Sequence, residues 1–152
     1  MKTLPEPIIL KFDYNASIEK VWLAITELDQ MQQWYFEMLE SFEAKVGFET
    51  SFIVMVEDRK YTHQWTVTEV IPLKKIVYDW IMKEYDGASY SKFELTEKNN
   101  KTQLKITSVV TKAFPSEIPE FKRESGVQGW TYLLGDRLKS YLEKLGCKGV
   151  KV

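Results

Sequence analysis

The sequence predicts an α+β fold: a strongly curved antiparallel sheet of about seven strands wraps around one long C-terminal helix, and two short helices follow the first strand. Three observations predict it. Apolar and polar residues alternate through most of the chain up to residue 111, helical spacing interrupts them between residues 17 and 34, and a long helical pattern occupies residues 120–145. Strands joined by short turns form an antiparallel sheet, whose apolar face only the last helix is long enough to cover.

The first elements are a strand and two short helices. Residues 8–14 alternate between apolar and polar side chains, which is the period of a half-buried strand. Ser17 has the side chain of a helix N-cap, and Glu19 places a carboxylate in the first turn, where the helix dipole favours it. Apolar residues at helical spacing continue to residue 25, and a second short helix is predicted over residues 27–34.

The middle of the chain predicts a meander of about six further strands. From about residue 41 the apolar residues recur with a period of two, and polar turns such as Asp86-Gly87 separate the alternating segments. The clearest of these strands are predicted over residues 48–56, 61–67, 76–82, 88–97 and 102–111.

The last element is a long amphipathic helix. Apolar residues recur at steps of three or four from Val127 to Leu145, and Gly146 is predicted to end the helix. The chain contains no repeat, linker or shift of composition. Residues 1–152 are therefore predicted to form one domain, with a core over about residues 8–145.

The charge and cysteine content exclude several classes of function. Lys and Arg number 21 and Asp and Glu 22, with no cluster of cations of the kind that binds nucleic acid. No apolar run approaches the ~20 residues that cross a bilayer, and residues 1–7 do not resemble a signal peptide. One Cys, Cys147, and one His exclude a disulfide framework and a metal site built from several such residues. We therefore expect a cytoplasmic protein without a membrane span, metal or cofactor.

Aromatic residues are numerous: the chain contains eight Phe, eight Tyr and five Trp. Many fall on one face of the predicted strands or on the last helix, where they would line a cavity between sheet and helix. Cavities of this kind are mostly apolar, with a few polar anchors. The candidate lining residues are Trp34, Tyr61, His63, Trp65, Tyr78, Trp80, Ser91, Phe93, Ser108 and Trp130.

His63 is the strongest candidate for a catalytic or ligand-orienting residue. It shares a predicted strand face with Tyr61 and Trp65, which we expect to point toward the helix. One hypothesis makes its imidazole a proton donor or a group that orients a ligand. The other makes it a buried histidine whose ring bonds a neighbouring hydroxyl or carbonyl. No catalytic carboxylate pair is predicted, because the adjacent Glu57 and Asp58 would point to opposite faces of a strand.

Two glycines interrupt the last helical pattern beside a tryptophan. Gly126 and Gly129 precede Trp130, and a glycine in a helix interior costs roughly 1 kcal/mol relative to alanine. The missing side chains would leave room for a ligand, or would admit a large aromatic ring such as that of Trp65 or Trp80. Alternatively, the helix begins later than the pattern indicates.

A run of large apolar residues, 34–39, lies in a predicted loop after the second helix. Side chains exposed there would form either a lid over the cavity or a patch that binds another protein.

The order of these elements and several short motifs resemble a known superfamily. The chain is similar to START-like, or helix-grip, proteins, and within them to the branch named for homology to the activator of the heat-shock-protein-90 ATPase. The resemblance spans about residues 8–145. Its motifs are Ala16-Ser17-Ile18-Glu19-Lys20-Val21-Trp22, Trp34, Val46-Gly47-Phe48, Tyr78-Asp79-Trp80, Gly129-Trp130 and Leu138-Lys139-Ser140-Tyr141-Leu142.

The resemblance leaves three functions open. The first is a non-catalytic domain that binds a small hydrophobic ligand in the cavity between sheet and helix. The second is a co-chaperone-like module that binds a protein partner, which the resemblance implies to be a chaperone ATPase. The third is a cyclase- or hydrolase-like enzyme that uses His63, although the resemblance supplies no catalytic residues for this chain.

Overall fold

The computed structural model describes residues 4–115 and 117–150, with side chains described as far as residue 144. The thiol of Cys147 therefore lies outside the described side chains. The elements are β1 (Ile8–Tyr14), α1 (Ile18–Thr26), α2 (Leu28–Trp34), β2 (Glu49–Val56), β3 (Arg59–Ile71), β4 (Lys75–Met82), β5 (Ala88–Lys98), β6 (Lys101–Lys112), α3 (Arg123–Trp130) and α4 (Leu138–Val150). A 3-10 turn, Pro119–Phe121, precedes α3, and a π-helical segment, Thr131–Arg137, joins α3 to α4.

The strands form one antiparallel sheet in the order β1-β6-β5-β4-β3-β2. The described residues give six strands rather than about seven: β1 and the five strands predicted by range between residues 48 and 111. Residues 41–47, where the alternation begins, do not form a further strand. Phe42 in this segment is buried. Two backbone bonds there are local, from Lys45 N–H to Glu43 and from Phe48 N–H to Lys45, while Gly47 N–H donates to the Val67 carbonyl of β3 at 2.8 Å. Residues 41–47 thus have the alternation of a strand and reach β3 at Gly47 without forming a strand themselves.

The C-terminal helical elements cover one face of this curved sheet, which confirms the predicted helix-grip architecture. Leu134, Leu138 and Leu142 are buried at steps of four residues along this layer, as an amphipathic helix requires. The helix continues through Gly146 to Val150, so the predicted end at Gly146 is wrong.

The first helix is capped from two directions. The Ser17 hydroxyl accepts a hydrogen bond from Lys20 N–H at 3.3 Å, as predicted for an N-cap. The Glu97 carboxylate at the end of β5 accepts from Ile18 N–H at 3.1 Å. This second bond ties the start of α1 to the sheet.

The π-helical segment lies against the edge strand β1. The Tyr14 hydroxyl donates a 2.7 Å hydrogen bond to the Leu134 carbonyl. A Cβ built on Gly135 would lie only 3.1 Å from the Phe12 ring, so the absence of a side chain there permits close packing. The Leu134 carbonyl in the π-helical segment thus accepts a hydrogen bond from the buried hydroxyl of Tyr14. No helix among the described residues is long and apolar enough to cross a membrane.

Candidate functional site

A cavity of about 310 Å³ lies between α3 and the inner face of the sheet. This volume is at the lower end of the range of roughly 300–1,000 Å³ typical of ligand pockets. The lining comes from the N-terminal segment, five strands, the segment before α3, α3 itself and the following turn. Its members are Pro5, Glu6, Ile8, His63, Trp80, Met82, Ser89, Ser91, Ser108, Val110, Phe114, Glu120, Phe121, Lys122, Arg123, Gly126, Gly129, Trp130 and Leu133.

The cavity exists because small residues face each other across it. On the sheet side, Ser91 of β5 is paired with Ser108 of β6, and Ser89 lies two residues along β5. On the helix side are Gly126 and Gly129. Two larger side chains at these positions would close the gap between the layers.

The two glycines differ in what they face. A Cβ built on Gly129 would meet nothing within 4 Å, whereas one on Gly126 would approach Ile8 Cδ1 to 2.8 Å. Helix α3 begins at Arg123, before both glycines. A later helix start and an aromatic ring packed on Gly129 are therefore both wrong. Of the three explanations weighed from the sequence, Gly129 fits the one in which a missing side chain leaves open space.

Two tryptophans form an aromatic corner of the cavity. The rings of Trp80 and Trp130 meet edge to face, with centroids 5.8 Å apart and planes at 89°. Phe93 supports Trp130 from outside the lining at 5.6 Å. Edge-to-face pairs are favourable in this distance range, so this corner is held in place by the core.

His63 contributes a polar group to this corner. Its Nδ1 accepts a 2.8 Å hydrogen bond from the indole Nε1–H of Trp80, and its ring stacks on Phe52 with centroids 4.8 Å apart. Burial lowers the pKa of His63 from 6.5 to about 4, although the negative charge of Glu84 opposes this shift. The imidazole is therefore neutral at pH 7.

The hydrogen bond from Trp80 also decides which nitrogen of His63 carries the proton. An indole N–H only donates, so Nδ1 must be unprotonated, and the neutral ring carries its proton on Nε2. Within the described part of the chain, Nε2 has no hydrogen-bond partner and is not sealed from solvent. His63 thus offers one N–H donor at the cavity.

The segment after α2 fills the rest of the space between the layers. Tyr35 stacks on Trp34 with centroids 4.6 Å apart, and its hydroxyl lies 2.8 Å from that of Tyr78. Phe36 packs against Phe52 at 4.7 Å. In this segment Glu37 and Met38 are exposed, while the aromatic residues are buried or partly buried. The aromatic residues of this segment fill part of the core between the sheet and the helices. The segment therefore does not form the exposed apolar lid or patch predicted as alternatives from the sequence.

The structure separates the ten predicted cavity residues into two groups. His63, Trp80, Ser91, Ser108 and Trp130 line the cavity. The other five are buried outside the lining. Most of them pack against the segment after α2: Trp65 and Tyr78, for example, both contact Tyr35. This second group comprises Trp34, Tyr61, Trp65, Tyr78 and Phe93.

Tyr61 lies in a network that fixes the segment before α3. Its hydroxyl donates to Oε1 of Glu120 at 2.6 Å, and the Arg59 guanidinium donates to the same oxygen, with Nε at 2.7 Å. The hydrogen bond from Tyr61 and the charge of Arg59 lower the pKa of Glu120 below its ordinary value. The 3-10 turn is thereby attached to the start of β3, with Glu120 at the cavity wall.

Sequence reasoning missed several lining residues. Ser89 had a usable signal, because it is two residues from Ser91 and so shares its strand face. Phe114 and Phe121 had none, since they lie in an irregular segment and stack on each other at 4.8 Å. Their position depends on contacts with distant parts of the chain.

The exposed lining residues indicate where the cavity opens. Pro5, Glu6, Lys122 and Arg123 are all exposed. Arg123 donates from Nε to the Glu6 carbonyl at 3.0 Å and from a terminal nitrogen to the Pro7 carbonyl at 3.1 Å. The opening therefore lies between the N-terminal segment and the start of α3.

Comparison with known proteins identifies a family. The sequence profile described as "Activator of Hsp90 ATPase homolog 1-like protein" matches residues 15–143. A comparison with curated proteins gave no significant match.

Similar solved structures extend over almost the whole chain. Protein Mll3558 of Rhizobium loti is 19% identical, with a TM-score of 0.77, over 93% of this chain and 100% of its own. Protein CV1439 of Chromobacterium violaceum is 20% identical, with a TM-score of 0.74, over 91% and 98%. A protein of Arthrobacter aurescens is 16% identical, with a TM-score of 0.74, over 93% and 91%. At these identities the likeness establishes the fold.

Proposed function

The chain belongs to the Activator of Hsp90 ATPase homolog 1-like family, and from this premise we propose that it binds a small, largely hydrophobic ligand in the cavity between α3 and the sheet. The observation that carries the proposal is the pairing of small residues across that cavity. Ser91 and Ser108 lie on the sheet side and Gly129 faces open space on the helix side. A protein selected only for stability gains by filling such a gap.

The proposal favours binding over catalysis. An imidazole whose pKa is about 4 is neutral at pH 7, so it lacks the imidazolium proton that a general acid transfers, and it is a weak base. The charged group that affects its pKa, Glu84, accepts hydrogen bonds from the backbone and hydroxyl of Thr62. His63 is thus suited to holding a ligand by a hydrogen bond.

Native mass spectrometry of the protein purified from its own source tests this function. We expect the wild-type protein to retain a small-molecule adduct. Gly129→Leu should lose it, because the added side chain occupies the cavity. Gln128→Leu is the matched control, since it adds the same side chain at an exposed position one residue earlier. A clean apo mass for the wild type, or an adduct that survives Gly129→Leu, would contradict the proposal.

A second candidate is a co-chaperone-like module that binds a chaperone ATPase. One observation favours it besides the family description: Ile53 and Met55 are 48% and 57% exposed on the edge strand β2. An edge strand with exposed apolar side chains is a surface on which a partner can dock. If this is the function, Ile53→Lys should abolish stimulation of an Hsp90-type ATPase and Gly129→Leu should leave it unchanged. The reverse pattern would support the cavity.

A further inference from the structure

We propose that the cavity selects ligands carrying a neutral hydrogen-bond acceptor, a ketone or similar carbonyl oxygen, that meets the Nε2–H of His63 while apolar rings contact Trp80 and Trp130. This inference rests on the proposed function and specifies the chemistry of its ligand. It follows from which polar groups of the lining are already bonded within the protein and which are not.

The donor of His63 is fixed in place. Trp80 Nε1–H occupies Nδ1 at 2.8 Å, which forces the proton onto Nε2. The stack on Phe52, at 14° between ring planes, prevents the imidazole from turning freely. A fixed donor beside an apolar surface is the arrangement that discriminates between ligands, because a ligand without an acceptor leaves the N–H unpaired.

The serine hydroxyls at the cavity are not equivalent. Ser89 Oγ donates to the Trp80 carbonyl at 3.0 Å and is therefore already engaged. Ser91 of β5 and Ser108 of β6 are paired in register on neighbouring strands. Neither side chain has a hydrogen bond within the described part of the chain. They can bond either a donor or an acceptor. The preference for an acceptor therefore comes from His63.

The charged residues of the lining do not reverse this preference. The Oε1 atom of Glu120 is occupied by Tyr61 and Arg59, and Glu6, Lys122 and Arg123 are exposed at the opening. A cation bound beside His63 would meet an N–H donor. A carboxylate there would lose its hydration for one neutral hydrogen bond. A neutral carbonyl gains the bond at a smaller cost of desolvation.

A pair of isosteric probes tests the inference. In 2-acetylnaphthalene a carbonyl oxygen occupies the position of the terminal CH₂ in 2-isopropenylnaphthalene, and the two molecules otherwise have the same heavy-atom skeleton. We expect the ketone to bind the wild-type protein about tenfold more tightly, as measured by equilibrium dialysis. The alkene is the more hydrophobic probe, so partition into an apolar gap alone would favour it instead.

Two variants of His63 identify the donor. His63→Asn keeps an oxygen near the position of Nδ1, where it can accept from Trp80, but removes the donor at Nε2. It should abolish the preference for the ketone. His63→Gln places an amide near the position of Nε2 and should retain a preference of the same sign. An unchanged preference in His63→Asn would overturn the inference.

A measurement on the unmodified protein covers the case in which His63→Asn fails to fold. The chain contains one histidine, so ¹⁵N-histidine labelling gives a single pair of ring nitrogen signals. We expect the ketone to shift the Nε2–H signal and the alkene to leave it near its position without ligand. Equal affinity for the two probes, or equal shifts, would overturn the inference and leave the proposed function standing. Failure of both probes to bind would contradict both.

Discussion

The indole N–H of Trp80 donates to Nδ1 of His63 across 2.8 Å, joining side chains that are 17 residues apart in the sequence. The bond crosses from β4 to β3, where Trp80 is paired in register with Trp65 and His63 with Met82. It places a neutral histidine of fixed tautomer at an otherwise aromatic corner. The tautomer of His63, and with it the ligand chemistry proposed for this site, depends on this bond.

The stability of the protein should fall as the pH is lowered from 7 toward 5, where histidine is the side chain that titrates most. In the unfolded chain the pKa of His63 returns to 6.5, whereas burial holds it at about 4 in the folded protein. Below pH 6.5 the unfolded state therefore binds a proton that the folded state does not. The stabilisation is present above pH 6.5, is lost progressively on acidification, and is fully lost below about pH 4.

Urea unfolding at pH 7 and pH 5 measures this effect. We expect the free energy of unfolding to drop by about 2 kcal/mol between these values. His63→Asn should remove most of the drop, because the chain contains no other histidine. A wild-type protein that is equally stable at both values would show that His63 is not held neutral by burial.

Replacing Gly129 with alanine should stabilise the protein. Its Cβ would meet nothing within 4 Å, and alanine in a helix interior is favoured over glycine by about 0.5–1 kcal/mol. Gly126→Ala is the matched control in the same helix, where the Cβ would lie 2.8 Å from Ile8 Cδ1. Urea unfolding should show a smaller gain or a loss for Gly126→Ala. Destabilisation by Gly129→Ala would contradict the open space above this residue.

Replacing Gly87 with alanine should destabilise the protein strongly. Its φ is +127°, and an added Cβ would overlap the Phe114 ring. Strain of the backbone contributes about 1–3 kcal/mol, and displacement of Phe114 from the cavity wall adds to it. Thermal or urea unfolding gives the size of the loss.

Gly47→Ala provides the comparison for Gly87→Ala. Gly47 also has a positive φ, +92°, but a Cβ there would meet nothing within 4 Å. Gly47→Ala should therefore be destabilised by backbone strain alone. If the two variants were equally destabilised, contact with Phe114 would not be the reason that Gly87 is required.

The architecture was largely predictable from the sequence because it depends on local periodicity. The alternation of Tyr61, His63, Trp65 and Val67 predicted one buried face, and all four side chains are at most 8% exposed. The alternation at 41–47 was misleading, because Phe42 is buried by packing on Phe48 and on the rings of Trp65 and Tyr78, while its own backbone is not part of a strand.

The shape of the cavity was less predictable because it depends on contacts between distant residues. Burial of Tyr35 requires Tyr78, 43 residues away, and the position of Glu120 requires Arg59, 61 residues away. No local pattern contains either pair. The sequence could indicate which face was apolar, but not which part of it the segment after α2 would fill.

Calorimetric titration with 2-acetylnaphthalene of the wild-type protein, Gly129→Leu and Gln128→Leu tests the central claim most directly. The claim is that the space between Gly129 and the paired serines is a binding site. We predict the same Kd for the wild type and Gln128→Leu, and binding weaker by about tenfold or more for Gly129→Leu, corresponding to about 1.4 kcal/mol. Equal binding by all three proteins would contradict the claim, because the probe would then occupy some other part of the molecule.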